Sequence, residues 1–368
     1  MIVGCVKEIK KYEFRVGLTP ENVKSYVDAG HVVLIEKSAG NGSGFTDDQY
    51  TANGAELCDT PAEVYKRSEM IVKVKEPLES EYELIREGQI LFTYLHLAAD
   101  KQLTDVLLKS GAIGVAYETI RDVNGGIPLL KPMSEIAGRL SIQEGAKYLE
   151  KPFGGRGVLL AGVPGVPRAK VAVLGGGVVG INACRIAVGI GADVTVVDNS
   201  LDRLTYLDDI FGNSIQTIYS TDSAIERLCE NADLVIGAVL IPGGAAPKLI
   251  RREYLSKMKP GSVIVDIAVD QGGCCETTHP TYHDDPTFVV DGVVHYCVAN
   301  MPGAVPRTST IALTNATLRY GLAIASHGLQ GACEKLPGIL PGVNTYKGKL
   351  TCPEVAEAFN MECEKVVF

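Results

Sequence analysis

Three glycines spaced Gly175-x-Gly177-x-x-Gly180 interrupt the segment KVAVLGGGVVGINACRIAVGIGADVTVVD, Lys170 to Asp198. An apolar run precedes them, a helical stretch follows, and a second apolar run ends in an acid. Each part has a use in holding a dinucleotide. Gly175 permits a tight turn, Gly177 leaves room for a pyrophosphate, and Gly180 lets the helix pack close to the strand. The N-terminus of the helix that follows would turn free N–H groups and partial positive charge toward phosphate. Asp198 can hydrogen-bond both ribose hydroxyls and would repel a 2′-phosphate, which favours NAD over NADP. Arg203 is the counter-signal, since a nearby arginine can serve a 2′-phosphate. Its ordinary uses are a solvated helix face or a contact on the adenine side.

Ligands of wound α/β folds gather at the carboxyl ends of the strands. That filter selects Arg15, in the loop after the first apolar run, Lys75 and His96 at the ends of later ones, then Glu118 and Asp270. Singly, each has an ordinary structural use as an ion pair or a satisfied histidine. Together they suit an anionic substrate with a carbonyl or an amine. A guanidinium can hold a carboxylate by two parallel hydrogen bonds, and an ammonium adds a point charge. An imidazole titrates near neutrality and can pass a proton to or from the oxygen.

The elements that must position these residues follow from periodicity. Short β-branched runs at Ile2 to Val6, Val32 to Glu36, Met70 to Lys75, Ile90 to Tyr94 and Ile113 to Tyr117 alternate with amphipathic segments such as Glu21 to Ala29 and Leu103 to Lys109. A second series runs through Val171 to Leu174, Val194 to Val197, Leu234 to Val239, Ser262 to Ile267 and Val293 to Val298. The pattern predicts two doubly wound, Rossmann-like α/β domains with mainly parallel sheets. The stretch after Asn300 holds a long helix candidate with Ile311, Leu318, Leu322 and Ala325 on a single stripe and Thr308 or Ser309 as its N-cap. The roughly 40 residues after it are too few to fold alone. The first domain is therefore expected to be discontinuous, a substrate domain of 1–128 and 306–368 interrupted by an NAD-binding domain of 129–305. Long helices, Pro132 to Glu150 and Pro306 to Ala325, would cross between them beside a substrate cleft.

Composition narrows the function classes. The 368 residues carry a net charge of −9 with 35 scattered Lys and Arg, so no basic stripe offers the counterion release on which nucleic-acid binding rests. The longest charge-free stretch, Leu234 to Pro247, is broken by Pro242 and Gly243 and is shorter than a membrane span. Charge arrives at Lys7, too early for a signal peptide, so a cytoplasmic chain is expected. Ten cysteines without a C-x-x-C read as reduced thiols. Cys274, Cys275, His279 and His283 have the residue types of a zinc site, but the surrounding TTHPTYHDD reads as a surface loop, and no metal is expected. Glycine is in excess, 40 residues, and GGVVG, IPGG and DQGG would place turns at strand ends facing the cofactor.

Seven blocks then resemble, in order and over essentially the whole chain, the bacterial L-alanine dehydrogenase family: EIKKYEFRVGLTPENV near the N-terminus, VKVKEP at 72–77, GQILFTYLHLA at 88–98, MSEIAGRLS at 133–141, GVLLAGVPGV at 157–166, DIAVDQGGC at 266–274 and VANMPGAVPRTST at 298–310. The resemblance implies reversible, NAD-dependent oxidative deamination of L-alanine to pyruvate and ammonium by a homohexamer. Position by position, it implies that Arg15 and Lys75 bind the substrate carboxylate and oxo group. His96 would be the general acid/base at the carbinolamine oxygen, and Asp270 the second acid/base. It places Ser134, Val178, Asp198, Arg203, Ser220, Val239, Ile267 and Val298 to Met301 around the NAD, with Asn300 close to the nicotinamide. Family members often have Lys at the position of Arg203 and Arg at that of His279, so cofactor affinity is where this chain is expected to differ.

Three other readings share parts of this pattern. The NAD-binding component of a proton-translocating transhydrogenase resembles the same fold but lacks the Leu95-His96-Leu97 context. A saccharopine or lysine-type dehydrogenase is similar in using a Lys and His pair. A non-catalytic NAD-binding protein would require decayed catalytic positions, yet Arg15, Lys75, His96 and Asp270 are all present.

Overall fold

Strands rich in Val, Ile and Leu alternate with helices that begin at a side-chain oxygen. Thr19, Thr60, Asp100, Ser200 and Thr221 each accept a backbone N–H at a helix start, and Pro20 and Pro61 follow the first two at the position where a missing N–H costs least. The computed structural model describes residues 1–239 and 246–368. The chain divides into two compact units, Met1–Met133 with Val305–Phe368, and Ser134–Ala304.

In the first unit β1 (Ile2–Cys5), β2 (Val32–Glu36), β3 (Glu56–Cys58), β4 (Met70–Val72), β5 (Ile90–Thr93) and β6 (Ile113–Ala116) lie parallel in the order β6-β5-β4-β1-β2-β3. β4 and β5 are buried throughout, as expected of strands covered on both faces. In the second unit β7 (Lys170–Leu174), β8 (Asp193–Asp198), β9 (Gln216–Tyr219), β10 (Leu234–Gly237), β11 (Val263–Asp266), β12 (Thr287–Val290) and β13 (Val293–Tyr296) take the order β12-β13-β11-β10-β7-β8-β9. Only β12 is antiparallel there among the described strands. The chain then returns to the first sheet, where β14 (Val343–Tyr346) pairs antiparallel with β6 and β15 (Lys349–Leu350) with β14.

Both sheets therefore reverse direction of growth at their first strand, β1 between β2 and β4 and β7 between β8 and β10. Such a switch point opens a crevice at the carboxyl ends of the strands, where ligands bind. The α/β class and two wound sheets are as the sequence predicts. Strands β3, β9, β12, β14 and β15 are additions to the predicted set; all lie at or next to a sheet edge.

The two long helices run over Lys131–Tyr148 and Pro306–Lys335. The second is longer than expected and breaks at Gly328, whose φ of 65° and ψ of 173° are not helical. Its N-cap is Val305 with Pro306 following, not Thr308 or Ser309, because proline at N1 starts the helix three residues earlier. The predicted stripe coincides with the buried face only at its end: Ala325 is buried with Leu313, Thr317, Tyr320 and Ile324, whereas Ile311 is exposed and Leu318 and Leu322 are half-buried. Threonines make the difference: Thr314 and Thr317 donate to the Ile311 and Thr314 carbonyls, which lets polar residues occupy the core face. Among the described residues no helix is long and apolar enough to cross a membrane. The IPGG turn at 241–244 lies outside the described residues.

Candidate active site

Within the first unit Arg15, Lys75, His96 and Glu118 follow β1, β4, β5 and β6, four neighbouring strands, at their carboxyl ends. Arg15 is buried and its guanidinium is already clamped. Nε donates to Glu13 Oε1 at 2.6 Å, Nη2 to Oε2 at 2.5 Å, and Nη1 to the Met133 sulfur at 3.1 Å. Burial works against both charges, but the two parallel hydrogen bonds prevail, holding the Glu13 carboxyl below its usual range and the guanidinium above its own. Glu13 is not among the residues the sequence singles out. An acid two residues before an arginine is a common surface pairing, and nothing in the sequence marks this pair as buried.

Lys75 is half-buried. Burial first, and then the Arg15 charge, push its ammonium below the usual lysine range. Its backbone is fixed by a second acid the sequence does not single out, Glu8, which accepts the Val74 and Lys75 N–H groups at 2.6 and 3.2 Å. Glu8 faces Lys73 at 3.4 Å, and Lys73 donates to Glu81 at 2.9 Å, all three nearly water-free. A buried charge set of this kind survives only with its remaining lone pairs satisfied. Tyr65 and the Leu78 N–H meet that condition at Glu81.

His96 sits in the left-handed region, φ 49° and ψ 34°, which is uncommon for a residue with a Cβ. Its ring stacks on Tyr94, with centroids 5.8 Å apart and planes at 14°. The side chain reaches solvent, yet the chain crowding around it withdraws water and depresses its basicity. Glu118 pulls the other way, while the Lys75 charge adds to the depression, so a largely neutral imidazole results at physiological pH.

In the second unit the expected cofactor residues again line strand ends: the glycine turn after β7, Asp198 closing β8, Ser220 after β9, Val239 after β10, Ile267 and Asp270 after β11, and Val298 to Met301 after β13. Ser134 lies on the helix Lys131–Tyr148. The three glycines differ in what surrounds them. Gly175 has φ 98°, and a Cβ on it would press on the Ala238 carbonyl oxygen at 2.9 Å. A Cβ on Gly180 would overlap the Gly175 carbonyl oxygen. At Gly177, where the φ of −65° suits any residue, a Cβ would meet nothing. Packing demands the outer two glycines, while the middle one leaves open space at the start of the helix Val178–Ile190. That space fits a dinucleotide's pyrophosphate.

Asp198 accepts the Gly176 N–H at 2.7 Å and the Ser200 N–H at 2.9 Å. Arg203 donates from Nε to the Gly176 carbonyl and from Nη2 to that of Gly177, at 3.4 Å for the latter, and its guanidinium lies over the Tyr206 ring. In this arrangement Arg203 buttresses the glycine turn. Asp270 belongs to the one-turn segment Ile267–Gln271, which Asp266 organises. The buried Asp266 carboxylate accepts the N–H groups of Ala268, Cys274 and Cys275 and the Thr278 hydroxyl. Asn300 has φ 60°, and Met301 and Val298 are buried.

Cys274, Cys275 and His279 of the cysteine and histidine cluster are engaged within the fold. Cys274 and Cys275 are fully buried rather than on a surface loop, because Asp266 draws their amides inward. His279 stacks on Phe288 at 3.8 Å. Among the described residues no group of three or more His, Cys, Asp or Glu is arranged to hold a metal ion.

Two family models match the chain, the N-terminal domain of alanine dehydrogenase/PNT over residues 4–137 and the C-terminal domain of the same family over 141–353. An alanine dehydrogenase of Methanococcus maripaludis is 56% identical over 98% of this chain and 97% of its own. A solved L-alanine dehydrogenase superposes with a TM-score of 0.95 at 52% identity, covering 98% of this chain and 99% of its own. A transhydrogenase structure from Sinorhizobium meliloti gives a TM-score of 0.82 at 24% identity over 96% and 99%, a likeness of fold alone.

Proposed function

The chain belongs to the alanine dehydrogenase/PNT family, and on that premise we propose that it catalyses the reversible oxidative deamination of L-alanine, in which alanine, NAD and water give pyruvate, ammonium, NADH and a proton. The observation that carries the reading is the convergence of Arg15, Lys75 and His96 at the carboxyl ends of three adjacent strands, β1, β4 and β5. Arg15, fixed along one edge by Glu13, offers a preset positive group to the substrate carboxylate. Lys75, with its depressed pKa, adds charge at the oxo group as carbonyl character develops. His96, largely neutral, takes a proton from the oxygen that adds to the substrate carbon and returns one when the carbonyl is aminated in reverse. Asp270 orients the attacking water or ammonia and shares the proton transfers.

Bound NAD supplies the acceptor for the hydride from C2 of alanine. Gly175, Gly177, Gly180 and Val178 would hold its pyrophosphate, Asp198 the adenosine ribose, and Ser134, Arg203, Ser220, Val239, Ile267, Asp270 and Val298 to Met301 the rest. Asp198 selects against a 2′-phosphate. The working form is a cytoplasmic homohexamer. Reduction of NAD with L-alanine, followed by absorbance and repeated with NADP, tests the reading. Strong NADH formation with alanine and little with NADP is expected, and no reduction with alanine would overturn it.

A further inference from the structure

The carboxylate of Glu118, at the end of β6, lies against the loop after β5. It accepts the His96 N–H at 2.6 Å and the Leu95 N–H at 3.1 Å to one oxygen, with 3.3 Å from Leu95 to the other. These are the N–H groups of His96 itself and of the residue before it, and His96 is held in the left-handed conformation, where a residue with a Cβ persists only when its surroundings impose it. The next residues continue in the same hold: the Ala99 N–H bonds to the His96 carbonyl, and Asp100 caps the helix Lys101–Ser110. On the ring side, Tyr94 stacks beneath the imidazole and anchors its own hydroxyl on the Leu129 carbonyl at 2.6 Å.

We infer that Glu118 is the positioning residue of His96: its carboxylate gathers two backbone N–H groups to fix the histidine's strained backbone and sets a negative charge beside the imidazole. The inference rests on the reading of His96 as the acid/base of the reaction. The charged groups facing the ring are Glu118 from β6, Lys75 and Glu76 from the end of β4, and Lys10 from the loop after β1. Lys10 is paired with Glu76. Glu118 is the strongest of these in raising the basicity of His96, against burial and Lys75, which lower it. Removing its charge leaves the lowering influences less opposed, so the histidine deprotonates at lower pH.

The test compares wild type, Glu118→Gln, Glu118→Asp and His96→Ala in NAD reduction by alanine across pH, alongside the pH dependence of alanine-protected inactivation by diethylpyrocarbonate, which reads the imidazole without turnover. Glu118→Gln should lower kcat by about 100-fold, the order expected when a reacting group is misplaced by about 1 Å. It should leave KM for NAD unchanged and move the acidic limb of kcat/KM, and of the inactivation, to lower pH. Glu118→Asp retains the charge but is one methylene short, so kcat falls while the limb stays; this variant carries the test if Glu118→Gln does not fold. An unmoved limb in Glu118→Gln, or wild-type kcat or a shifted limb in Glu118→Asp, overturns the inference. If His96→Ala turns over normally, the underlying reading of His96 fails instead.

Discussion

The open space at Gly177 gives a sharp test, because the glycine two residues before it and the one three residues after it are held by packing. Replacing Gly177 by alanine puts a methyl where no atom beyond its adjacent residues lies within 4 Å, on a backbone that any residue can adopt. Two small effects on stability oppose each other. Alanine restricts the unfolded chain, worth roughly 0.4 to 1 kcal/mol, and is a poorer N-cap than glycine by a similar amount. The variant should therefore unfold within about 1 kcal/mol of wild type. Gly180→Ala must instead displace the Gly175 carbonyl, an overpacking cost of at least about 1 to 3 kcal/mol. The functional effect runs the other way. If the pyrophosphate lies in the space, the methyl costs it about 2.7 kcal/mol, or about 100-fold in Kd. Thermal unfolding with and without NAD measures this directly. At 100 times the wild-type Kd, NAD stabilises wild type by about 2.7 kcal/mol, a rise of about 5 to 11 °C in Tm for a domain of this size. The same concentration should stabilise Gly177→Ala by only about 0.4 kcal/mol, close to 1 °C. A full NAD-induced shift in Gly177→Ala would refute the claim that this space is reserved for the cofactor.

Two other perturbations probe the charges. Asp198→Ala should narrow the preference for NAD over NADP, read as the ratio of kcat/KM for the two cofactors; an unchanged ratio would place the discrimination elsewhere. The Glu13 carboxyl titrates below its ordinary value of 4.5 through its pairing with Arg15, so its contribution to stability is complete above that value and is lost as pH falls through the depressed folded-state pKa. Urea midpoints measured from pH 7 down to 3 should therefore drop more steeply in wild type than in Glu13→Gln, and parallel curves would show that the pair contributes nothing through its charge.

Much of the site is legible in the amino-acid sequence because its signals are local. The glycine spacing, the acid closing β8 and the polar residues just past apolar runs each depend on a few neighbouring positions. What the sequence hides is long-range. Glu8 serves backbone groups 66 and 67 residues away, Glu118 serves His96 from 22 residues on, and neither partner choice has a spacing rule. The buried face of the helix Pro306–Lys335 differs from its apolar stripe because threonines count as polar in a hydrophobicity pattern, although their hydroxyls bond back into the helix. The hairpin of β12 and β13, by contrast, does carry a local signal. Asp291 and Gly292, at φ 50° and 80°, form its tight turn, and a DG pair between apolar runs is characteristic of such a connection.

The return of the chain to its first sheet has a consequence during synthesis. Among the described strands, the outer edge of β6 is paired by β14 alone, which leaves the ribosome more than two hundred residues later. At about 5 to 20 residues per second, that edge waits on the order of 10 to 45 s for its partner. The unit Ser134–Ala304 has its whole sequence available well before then and can close first, while the amino-terminal strands carry an open template for pairing with a neighbouring nascent chain. The order in which the two units mature is thus the reverse of the order in which they begin.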